Sequence, residues 1–326
     1  MGEHPAISIL LTAYNHERFV EQALDSVLAQ TYHDFELIIT DDCSLDGSRA
    51  RIQGWLDRTG FPARVIANDR NVGIAVVRNQ ALAVATGEFV CSLAGDDFYE
   101  PDRLARQHAA FRGLGPEVAA VYSDERVIDV DGVEVSPSYL HRRGVTIPPP
   151  EGEIRDLLLS GNFLPAPAVM IRRSALDAVG PYDESLVFED YDMWLRLADR
   201  YQFRFVPGAL VNYRILSSSL SRAPSRRAEM AESNFAILLK WSGRSPATDP
   251  LVAYRLWRIG WAHLGIDRAK GRSMLDRATD LGVSRTRRLL TRLLRVPGLD
   301  RLASVTVAAG ARRDARSWAR RNPRSS

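Results

Sequence analysis

Residues 7–48 read ISILLTAYNHERFVEQALDSVLAQTYHDFELIITDDCSLDGS, in which an apolar run, an amphipathic stretch and a second apolar run follow one another. The runs ISILLTAY and FELIITD have the length and composition of buried β-strands, and residues 17–30 carry apolar side chains at helical spacing. The runs ARVIAN and EFVCSLAG continue this alternation, with helical patterns over 46–56, N-capped by Asp46, and over 74–85. The alternation predicts βαβ units around a mainly parallel sheet.

The next part of the chain adds shorter elements to this sheet. A helix is predicted to start near Pro101, and the strand VAAVYSDERVI is followed by a hairpin that turns at Asp131-Gly132. The proline-rich residues 147–152 are predicted to form a loop, and the strand AVMIRR, a short helix from Ser174 and the strand FRFVP follow it.

The chain changes character at the serine-rich residues 217–225. Only helical patterns follow, with breaks at 242–250, near Gly282 and at 297–298. We therefore expect an α/β domain over residues 1–222 and an α-helical region over 223–326.

Composition indicates an ordinary globular protein. Of 326 residues, 45% are hydrophobic and 25% are charged, which excludes a disordered, collagen-like or disulfide-stabilised small protein. Cys43 and Cys91 lie in unrelated segments and favour a reducing compartment. The start of the chain lacks signal-peptide features, and no run approaches the roughly 20 apolar residues of a spanning helix. A cytoplasmic location is expected.

The net charge of +3 hides two differently charged segments. Residues 251–326 contain 18 arginines and lysines against 5 acidic residues, whereas residues 1–250 are acidic overall. The basic residues over 285–295, with leucines between them, are compatible with a solvated helical face or with peripheral contact with an anionic membrane surface. Nucleic-acid binding is not favoured, because no reader motif or aromatic stacking pattern accompanies the arginines.

Several nucleotide-binding and hydrolytic motifs are missing from the sequence. It has no G-x-G-x-x-G after the first strand, and neither lysine stands in a phosphate-binding G-x-x-x-x-G-K context. It also has no G-x-S-x-G elbow and no H-E-x-x-H helix. A dinucleotide site, a P-loop, a serine hydrolase and a zinc protease are therefore not expected.

Acidic groups stand instead where the predicted strands end. Residues 12–15, 41–44 and 95–97 follow the first, second and fourth strands, and the carboxyl ends of parallel strands meet at one crevice. Neighbouring carboxylates repel one another, so a divalent cation that bridges to a phosphate-containing substrate is an economical explanation. The alternative is that Asp41 and Asp42 only form the turn into the next helix.

These residues also carry a family resemblance. The run over 8–48, then NVGIAVVRNQALAVATGEFVCSLAGDDFYEP and finally FEDYDMWLRLA resemble the inverting nucleotide-sugar glycosyltransferases of family 2, which have the GT-A fold. The resemblance covers about residues 6–215, with the motifs in the family's order. It implies a GT-A fold, with a Rossmann-like, mainly parallel sheet flanked by helices, and a nucleotide-diphosphate sugar as donor.

The resemblance also implies a nucleotide site. Thr12 and Tyr14 would line the nucleotide pocket, and Asp42 together with Asp41 would hydrogen-bond the base. Arg78, in RNQAL, would lie near the nucleotide or its diphosphate. Taken alone, an arginine on a helix is usually a solvated surface residue.

Asp96 and Asp97 resemble the family's metal motif, which would hold Mn²⁺ or Mg²⁺. Asp96, five residues before Pro101, is the expected direct ligand. The first acidic position of the motif is Ala94 here, and the position of a late histidine that can reach the metal is Ile215 or Leu216. Arg214 is a candidate phosphate contact. The six histidines form no metal-spaced cluster and receive no role.

Asp190 matches the carboxylate that takes the proton from the acceptor hydroxyl, with Glu189 on the acceptor side. The alternative is that both only stabilise a helix N-terminus. The acceptor would be a glycan or a lipid-linked molecule. A non-catalytic sugar-nucleotide binder is the competing function, since Ala94 and the missing histidine depart from the family pattern. A sugar nucleotidyltransferase is disfavoured because its glycine-rich signature is absent.

Overall fold

The computed structural model describes residues 5–145, 147–216 and 226–293. It divides into two compact units, Met1–Ala223 and Pro224–Ser326. The first contains a central sheet with helices, and the described part of the second is helical.

Four parallel strands form the first half of the sheet. They are β1 (Ile7–Ala13), β2 (Phe35–Asp41), β3 (Ala63–Ala67) and β4 (Phe89–Ala94), arranged in the order β3-β2-β1-β4. Every residue of β1 is buried, because a strand inside such a sheet is covered on both faces. The four predicted strands and their parallel arrangement are confirmed.

The helices between these strands are α1 (Val20–Leu28), α2 (Ser48–Thr59) and α3 (Ile74–Val84). The sequence pattern predicted that these first two helices begin at residues 17 and 46, two or three residues before their observed starts. The N-cap of α2 is Gly47 rather than Asp46. Asp46 accepts the backbone N–H of Ser48, but it also accepts that of Glu17 in the loop after β1. Its carboxylate therefore joins two loops, a contact that local capping rules cannot foresee.

The rest of the first unit completes a mixed sheet. In chain order its elements are β5 (Phe98–Tyr99), α4 (Arg103–Ala110), β6 (Val118–Ile128), β7 (Glu134–Ser136), α5 (Tyr139–Arg142), α6 (Arg155–Ser160), β8 (Val169–Arg172), α7 (Arg173–Val179), α8 (Asp190–Ala198) and β9 (Gln202–Arg214). The strand order continues from β4 as β8-β6-β9-β5, with β7 as a hairpin partner of β6.

Strand direction changes in this second half. β8 runs antiparallel to both β4 and β6, while β9 runs parallel to β6. β9 is much longer than the predicted strand FRFVP, since it continues along β6 as far as Arg214. The short strand β5, which the sequence pattern did not indicate, pairs with β9 directly after the Asp96-Asp97 motif.

The described part of the second unit contains α9 (Arg227–Leu239), α10 (Asp249–His263), α11 (Arg268–Asp280) and α12 (Arg285–Leu293). The predicted breaks near residues 242–250 and Gly282 are confirmed, and the predicted break at 297–298 lies outside the described residues. No helix in the described ranges combines the length and apolarity needed to cross a membrane.

Candidate active site at the strand ends

The loops that follow β1, β2 and β4 lie side by side. Thr12 is opposite Thr40 of β2 and Ala94 of β4 in the strand register. The N–H of Asp42 donates to the carbonyl of Ala13 at 2.9 Å, and the N–H of Gly95 donates to the carbonyl of Thr12 at 2.8 Å. The predicted convergence of these loops is confirmed.

Reciprocal hydrogen bonds join the first two loops. The N–H of Asn15 donates to Ser44 Oγ at 3.0 Å, and the N–H of Leu45 donates to Asn15 Oδ1 at 2.8 Å. Asn15 has a φ of 57°, a left-handed conformation that asparagine tolerates better than most residues. Thr12 is buried beside these loops, whereas the side chain of Tyr14 is 40% exposed and available to a ligand.

Asp41 and Asp42 both have partners within the protein. Asp41 Oδ1 accepts the N–H of Ser44 and an N–H of Arg49, which fits a turn-forming role. The carboxylate of Asp42 accepts the N–H groups of Val72 at 2.9 Å and Gly73 at 3.0 Å. Asp42 therefore holds the loop between β3 and α3 against the end of β2. Contact of either residue with a base stays a prediction.

The two carboxylates of the metal motif differ in exposure. Asp97 is buried, and its Oδ1 accepts the N–H of Arg214 at 2.7 Å. Burial and the neighbouring charge of Asp96 raise the pKa of Asp97 well above its usual range. Asp96 is partly exposed, which makes it the more accessible carboxylate. Within the part of the chain that the structure describes, no three His, Cys, Asp or Glu side chains are grouped so that they could hold a metal ion.

Arg214 is held by several protein oxygens at the end of β9. Its guanidinium donates to the carbonyl of Asp96 at 2.9 Å, to that of Asp129 at 3.1 Å and to Gln22 Oε1 at 2.8 Å. The residue is buried, with its guanidinium over the Phe19 ring. These protein oxygens use most of the donors of Arg214, and its contact with phosphate stays a prediction.

His16 is a site residue that the sequence analysis missed. Its Nε2 lies 3.7 Å from Asp96 Oδ1, and its N–H donates to Ser48 Oγ at 2.8 Å. A signal was present in the sequence, since His16 follows the Tyr14-Asn15 pair at the end of β1. The search for histidines clustered along the chain could not detect a pairing across two strand ends.

Asp190 is the first residue of α8, whose apolar side chains are buried as predicted. Asp190 Oδ1 accepts the N–H of Tyr191 at 2.7 Å, and Oδ2 accepts an N–H of Asn162 at 3.4 Å. Burial, followed by the charge of Glu189, raises the pKa of Asp190 to about 7. A carboxyl group with this pKa can both take and release a proton near neutral pH.

Arg78 reaches this region from α3. Its Nε lies 3.5 Å from Glu189 Oε1, and its Nη1 donates to the carbonyl of Leu10 in β1 at 3.2 Å. Arg78 is buried, so the interpretation as a solvated surface arginine is wrong. Through these two contacts Arg78 connects the central strand to the start of α8. The contact of Arg78 with the nucleotide stays a prediction.

A second contact from α3 fixes the loop before α8. Asn79 Nδ2 donates to the carbonyl of Tyr182 at 3.0 Å, and the N–H of Tyr182 donates to Asn79 Oδ1 at 2.9 Å. Burial raises the pKa of the Tyr182 hydroxyl to about 12, so it stays protonated at neutral pH. The RNQAL segment thus positions the acidic residues that precede and begin α8.

Further polar residues beside Asp190 come from a region without a sequence motif. Arg143 donates to the carbonyl of Asn162, and its guanidinium lies over the ring of Tyr139. Burial raises the pKa of Tyr139, and the charge of Asp190 is among the lesser causes. Arg143 lies between α5 and α6, and Tyr139 and Asn162 lie at either end of this part of the chain. Their arrangement around Asp190 could not be read from the sequence.

Comparison with known proteins places these motifs in one family. Residues 8–180 match the model of glycosyl transferase family 2. The chain is 30% identical to EpsE of Bacillus subtilis, over 60% of this chain and 68% of EpsE, and 27% identical to TuaG of the same organism, over 67% and 82%; both are named as glycosyltransferases.

Solved structures show the same fold at low sequence identity. TarS of S. aureus in complex with UDP-GlcNAc has a TM-score of 0.64 at 18% identity, covering 92% of this chain and 88% of that one. The mannosyltransferase PcManGT of Pyrobaculum calidifontis, in complex with GDP-Man and Mn²⁺, has a TM-score of 0.58 at 18% identity, covering 94% and 87%. The expected GT-A fold is confirmed.

Proposed function

This chain belongs to glycosyltransferase family 2, and we propose that it is an inverting enzyme that transfers a sugar from a nucleotide-diphosphate sugar to an acceptor hydroxyl. The observation that carries this proposal is the environment of Asp190. Its carboxyl group stands at the start of α8, with a pKa of about 7 that results from burial and from Glu189. This is the property required of a general base that works near neutral pH.

The proposed reaction is one direct displacement. The Asp190 carboxylate takes the proton of the acceptor hydroxyl as that oxygen forms a bond to the anomeric carbon. The bond between the anomeric carbon and the diphosphate oxygen breaks, and the nucleoside diphosphate leaves with the electron pair. Attack opposite the leaving group inverts the anomeric configuration, and Asp190 later releases its proton to water.

The donor would bind at the ends of β1, β2 and β4. We assign its nucleotide to Thr12, Tyr14, Asp41 and Asp42, and we place Arg78 on the diphosphate side. The hydrogen bonds between the loops after β1 and β2 support this assignment, because they form a preorganised floor for a ligand. The partly exposed phenol ring of Tyr14 offers a stacking surface.

Asp96 and Asp97 are the proposed metal residues, and the partly exposed Asp96 is the one whose environment fits a divalent cation. Mn²⁺ and Mg²⁺ are often held by one or two carboxylates together with substrate phosphates, so a site without three grouped protein ligands suffices. Such a cation would neutralise negative charge on the departing diphosphate. The accessible position of Asp96 supports its assignment as the direct ligand.

The class of acceptor is suggested by the relatives. The name of TuaG assigns that protein to teichuronic acid biosynthesis. By analogy we propose a role in the synthesis of a cell-surface polysaccharide, a glycolipid or another glycan, with a glycan or lipid-linked acceptor. Glu189 and the 139–162 region would face that acceptor.

We propose a cytoplasmic location with peripheral membrane contact through α12. Cys43 and Cys91 are free thiols, in keeping with a reducing compartment. In α12 the side chain of Leu289 is 57% exposed, and Leu290, Arg288 and Arg292 are exposed with it. An exposed helix face with both leucines and arginines fits an anionic membrane surface.

Co-sedimentation with vesicles tests this contact. The full chain should bind vesicles that contain phosphatidylglycerol, and a Leu289→Asp/Leu290→Asp variant should bind them at least about fivefold less well. Ile266→Asp, which changes an exposed apolar residue of the same unit, should bind like the wild type. Equal binding of the double variant would refute the contact and leave a solvated face.

The catalytic proposal is tested with a panel of UDP-, GDP- and dTDP-sugars. Thermal shifts in the presence of Mn²⁺ or Mg²⁺ identify the donor, because a ligand that binds only the native state stabilises it. Turnover of that donor should fall by about 10²–10⁴-fold in Asp190→Asn. The exposed carboxylate of Asp177 provides a matched Asp177→Asn control. Unchanged turnover in Asp190→Asn would exclude its role as the base, and donor binding without any turnover would indicate a non-catalytic binder.

A further inference from the structure

His16 and Asp96 meet across the ends of β1 and β4 at a distinctive separation. The distance from His16 Nε2 to Asp96 Oδ1 is 3.7 Å. This is longer than an N–H···O hydrogen bond, which spans about 2.7–3.2 Å. Two ligands that each lie about 2.1 Å from the same ion can be up to about 4.2 Å apart. The observed separation is thus too long for a hydrogen bond and lies within the range that two ligands of one cation can span.

The imidazole is fixed by its surroundings. The backbone N–H of His16 donates to Ser48 Oγ, which in turn donates to Asp46 Oδ1. The ring packs against Gly95, where a Cβ would lie 2.8 Å from His16 Nδ1. Nδ1 is buried and has no hydrogen-bond partner among the described residues. Nε2 is therefore the nitrogen that remains to meet a ligand beside Asp96.

The other residues of the motif leave room for such a ligand. Ala94 provides no carboxylate, and Ile215 and Leu216 stand where a late histidine is expected from the resemblance. Asp97 is buried and accepts the N–H of Arg214. No histidine directly follows β9 to provide a nitrogen ligand. The imidazole of His16, in the loop after β1, would provide that nitrogen instead.

We propose that His16 Nε2 and Asp96 Oδ1 together bind the divalent cation of the donor site. Imidazole suits transition metals, whereas Mg²⁺ prefers oxygen ligands. The mixed nitrogen and oxygen set therefore selects Mn²⁺ over Mg²⁺. This inference rests on the proposed function, since the donor diphosphate completes the coordination of the ion.

Binding of Mn²⁺ to the full chain, alone and with UDP, GDP or dTDP, tests the inference without an activity measurement. Titration followed by EPR gives the affinity, and pulsed EPR detects the coupling of a bound imidazole nitrogen to Mn²⁺. The wild type should show this coupling in the presence of at least one of these nucleoside diphosphates. His16→Ala should lose it and bind Mn²⁺ at least about tenfold more weakly, and Mg²⁺ should compete poorly with Mn²⁺ in the wild type.

Two variants control the experiment. His33→Ala removes an exposed histidine and should retain the affinity and the nitrogen coupling. His16→Leu keeps the bulk of the side chain but has no ligand atom, and it replaces His16→Ala if circular dichroism shows that the alanine variant is unfolded. An unchanged Mn²⁺ affinity in a folded His16 variant, or no nitrogen coupling in the wild type with any of UDP, GDP and dTDP, would overturn the proposal.

Failure of the inference differs from failure of the proposed function. Sugar transfer with normal Mn²⁺ binding by a folded His16→Ala or His16→Leu variant would reject only the assignment of His16. Absence of both donor binding and transfer across the nucleotide-sugar panel would reject the proposed function itself. A nitrogen coupling to Mn²⁺ that depends on His16 would then still establish the metal pair.

Discussion

Arg78 and Glu189 form an ion pair that joins α3 to the residue before Asp190. Arg78 Nε lies 3.5 Å from Glu189 Oε1, and both side chains are at most 10% exposed. Arg78 also donates to the carbonyl of Leu10, so the pair is attached to the central strand of the sheet. A buried charge that loses its partner is costly, which makes this contact a sensitive point of the site.

Replacement of Arg78 should therefore destabilise the protein. Arg78→Ala leaves Glu189 buried without its partner, and we expect the free energy of unfolding to fall by about 3 kcal/mol. Urea denaturation followed by circular dichroism measures this loss. The exposed Arg112 provides an Arg112→Ala control, for which a change within about 0.5 kcal/mol is expected. Equal stabilities of the two variants would show that the ion pair does not support the fold.

The pH dependence of sugar transfer should reflect the pKa of Asp190, which Asn162 and Glu189 change in opposite directions. The base acts only when deprotonated, so kcat/KM should fall as the pH drops through about 7 in the wild type. The hydrogen bond from Asn162 lowers the pKa of Asp190, and the charge of Glu189 raises it. Asn162→Ala should therefore move the acidic limb of the pH profile, where kcat/KM falls, to higher pH. Glu189→Gln should move this limb to lower pH.

Opposite shifts distinguish a positioned base from general damage to the site. Glu184→Gln, a change at an exposed carboxylate in the same loop, should leave the limb in place. If the Asn162 and Glu189 variants shift the limb in the same direction, Asp190 is not the group that titrates.

Asp42 should be required for the loop between β3 and α3 as well as for the nucleotide. Asp42→Ala removes the acceptor of the Val72 and Gly73 N–H groups, and hydrogen bonds to a charged acceptor are worth about 1.5–3 kcal/mol each. We expect a stability loss of about 3 kcal/mol and faster hydrogen exchange at these two amides. Asp57→Ala, on the exposed face of α2, should show neither effect. Unchanged protection of both amides would contradict the anchoring role.

Arg214 should contribute to stability rather than to phosphate binding. Arg214→Lys replaces a planar guanidinium that donates to four separate oxygens by an ammonium group with three donors at one atom, so we expect a loss of about 2 kcal/mol of stability. The affinity for the donor, measured by calorimetry on the folded variant below its melting temperature, should change less than about threefold. A large loss of donor affinity with normal stability would instead support the phosphate contact.

The sheet was predictable because its signals are local. The runs that became β1, β2 and β4 are apolar along their whole length, as strands covered on both faces must be. The acidic residues at their carboxyl ends could be placed at one crevice because parallel strands bring those ends together. Helix starts were less predictable, as Asp46 shows, because its carboxylate joins two loops rather than capping α2.

The site itself depends on contacts between distant parts of the chain. Arg214 and Asp97 are 117 positions apart, and their hydrogen bond exists only because β9 pairs with β5 beside the metal motif. The contact between His16 and Asp96 similarly requires β1 and β4 to be neighbours. No periodicity or local motif encodes such a meeting, so His16 received no role from the sequence, which also did not predict the hydrogen bond between Arg214 and Asp97.

The sequence by itself determined the strand-helix alternation, the family and the set of acidic residues at the strand ends, because apolar spacing and motif order are properties of the chain. Only the tertiary structure decided how each charged side chain is used. It buries Arg78 against Glu189, commits Arg214 to protein oxygens, places His16 beside Asp96 and raises the pKa of Asp190. The physical reason is that burial and the nearest charges set the state of an ionisable group, and both depend on which distant segments the fold brings into contact.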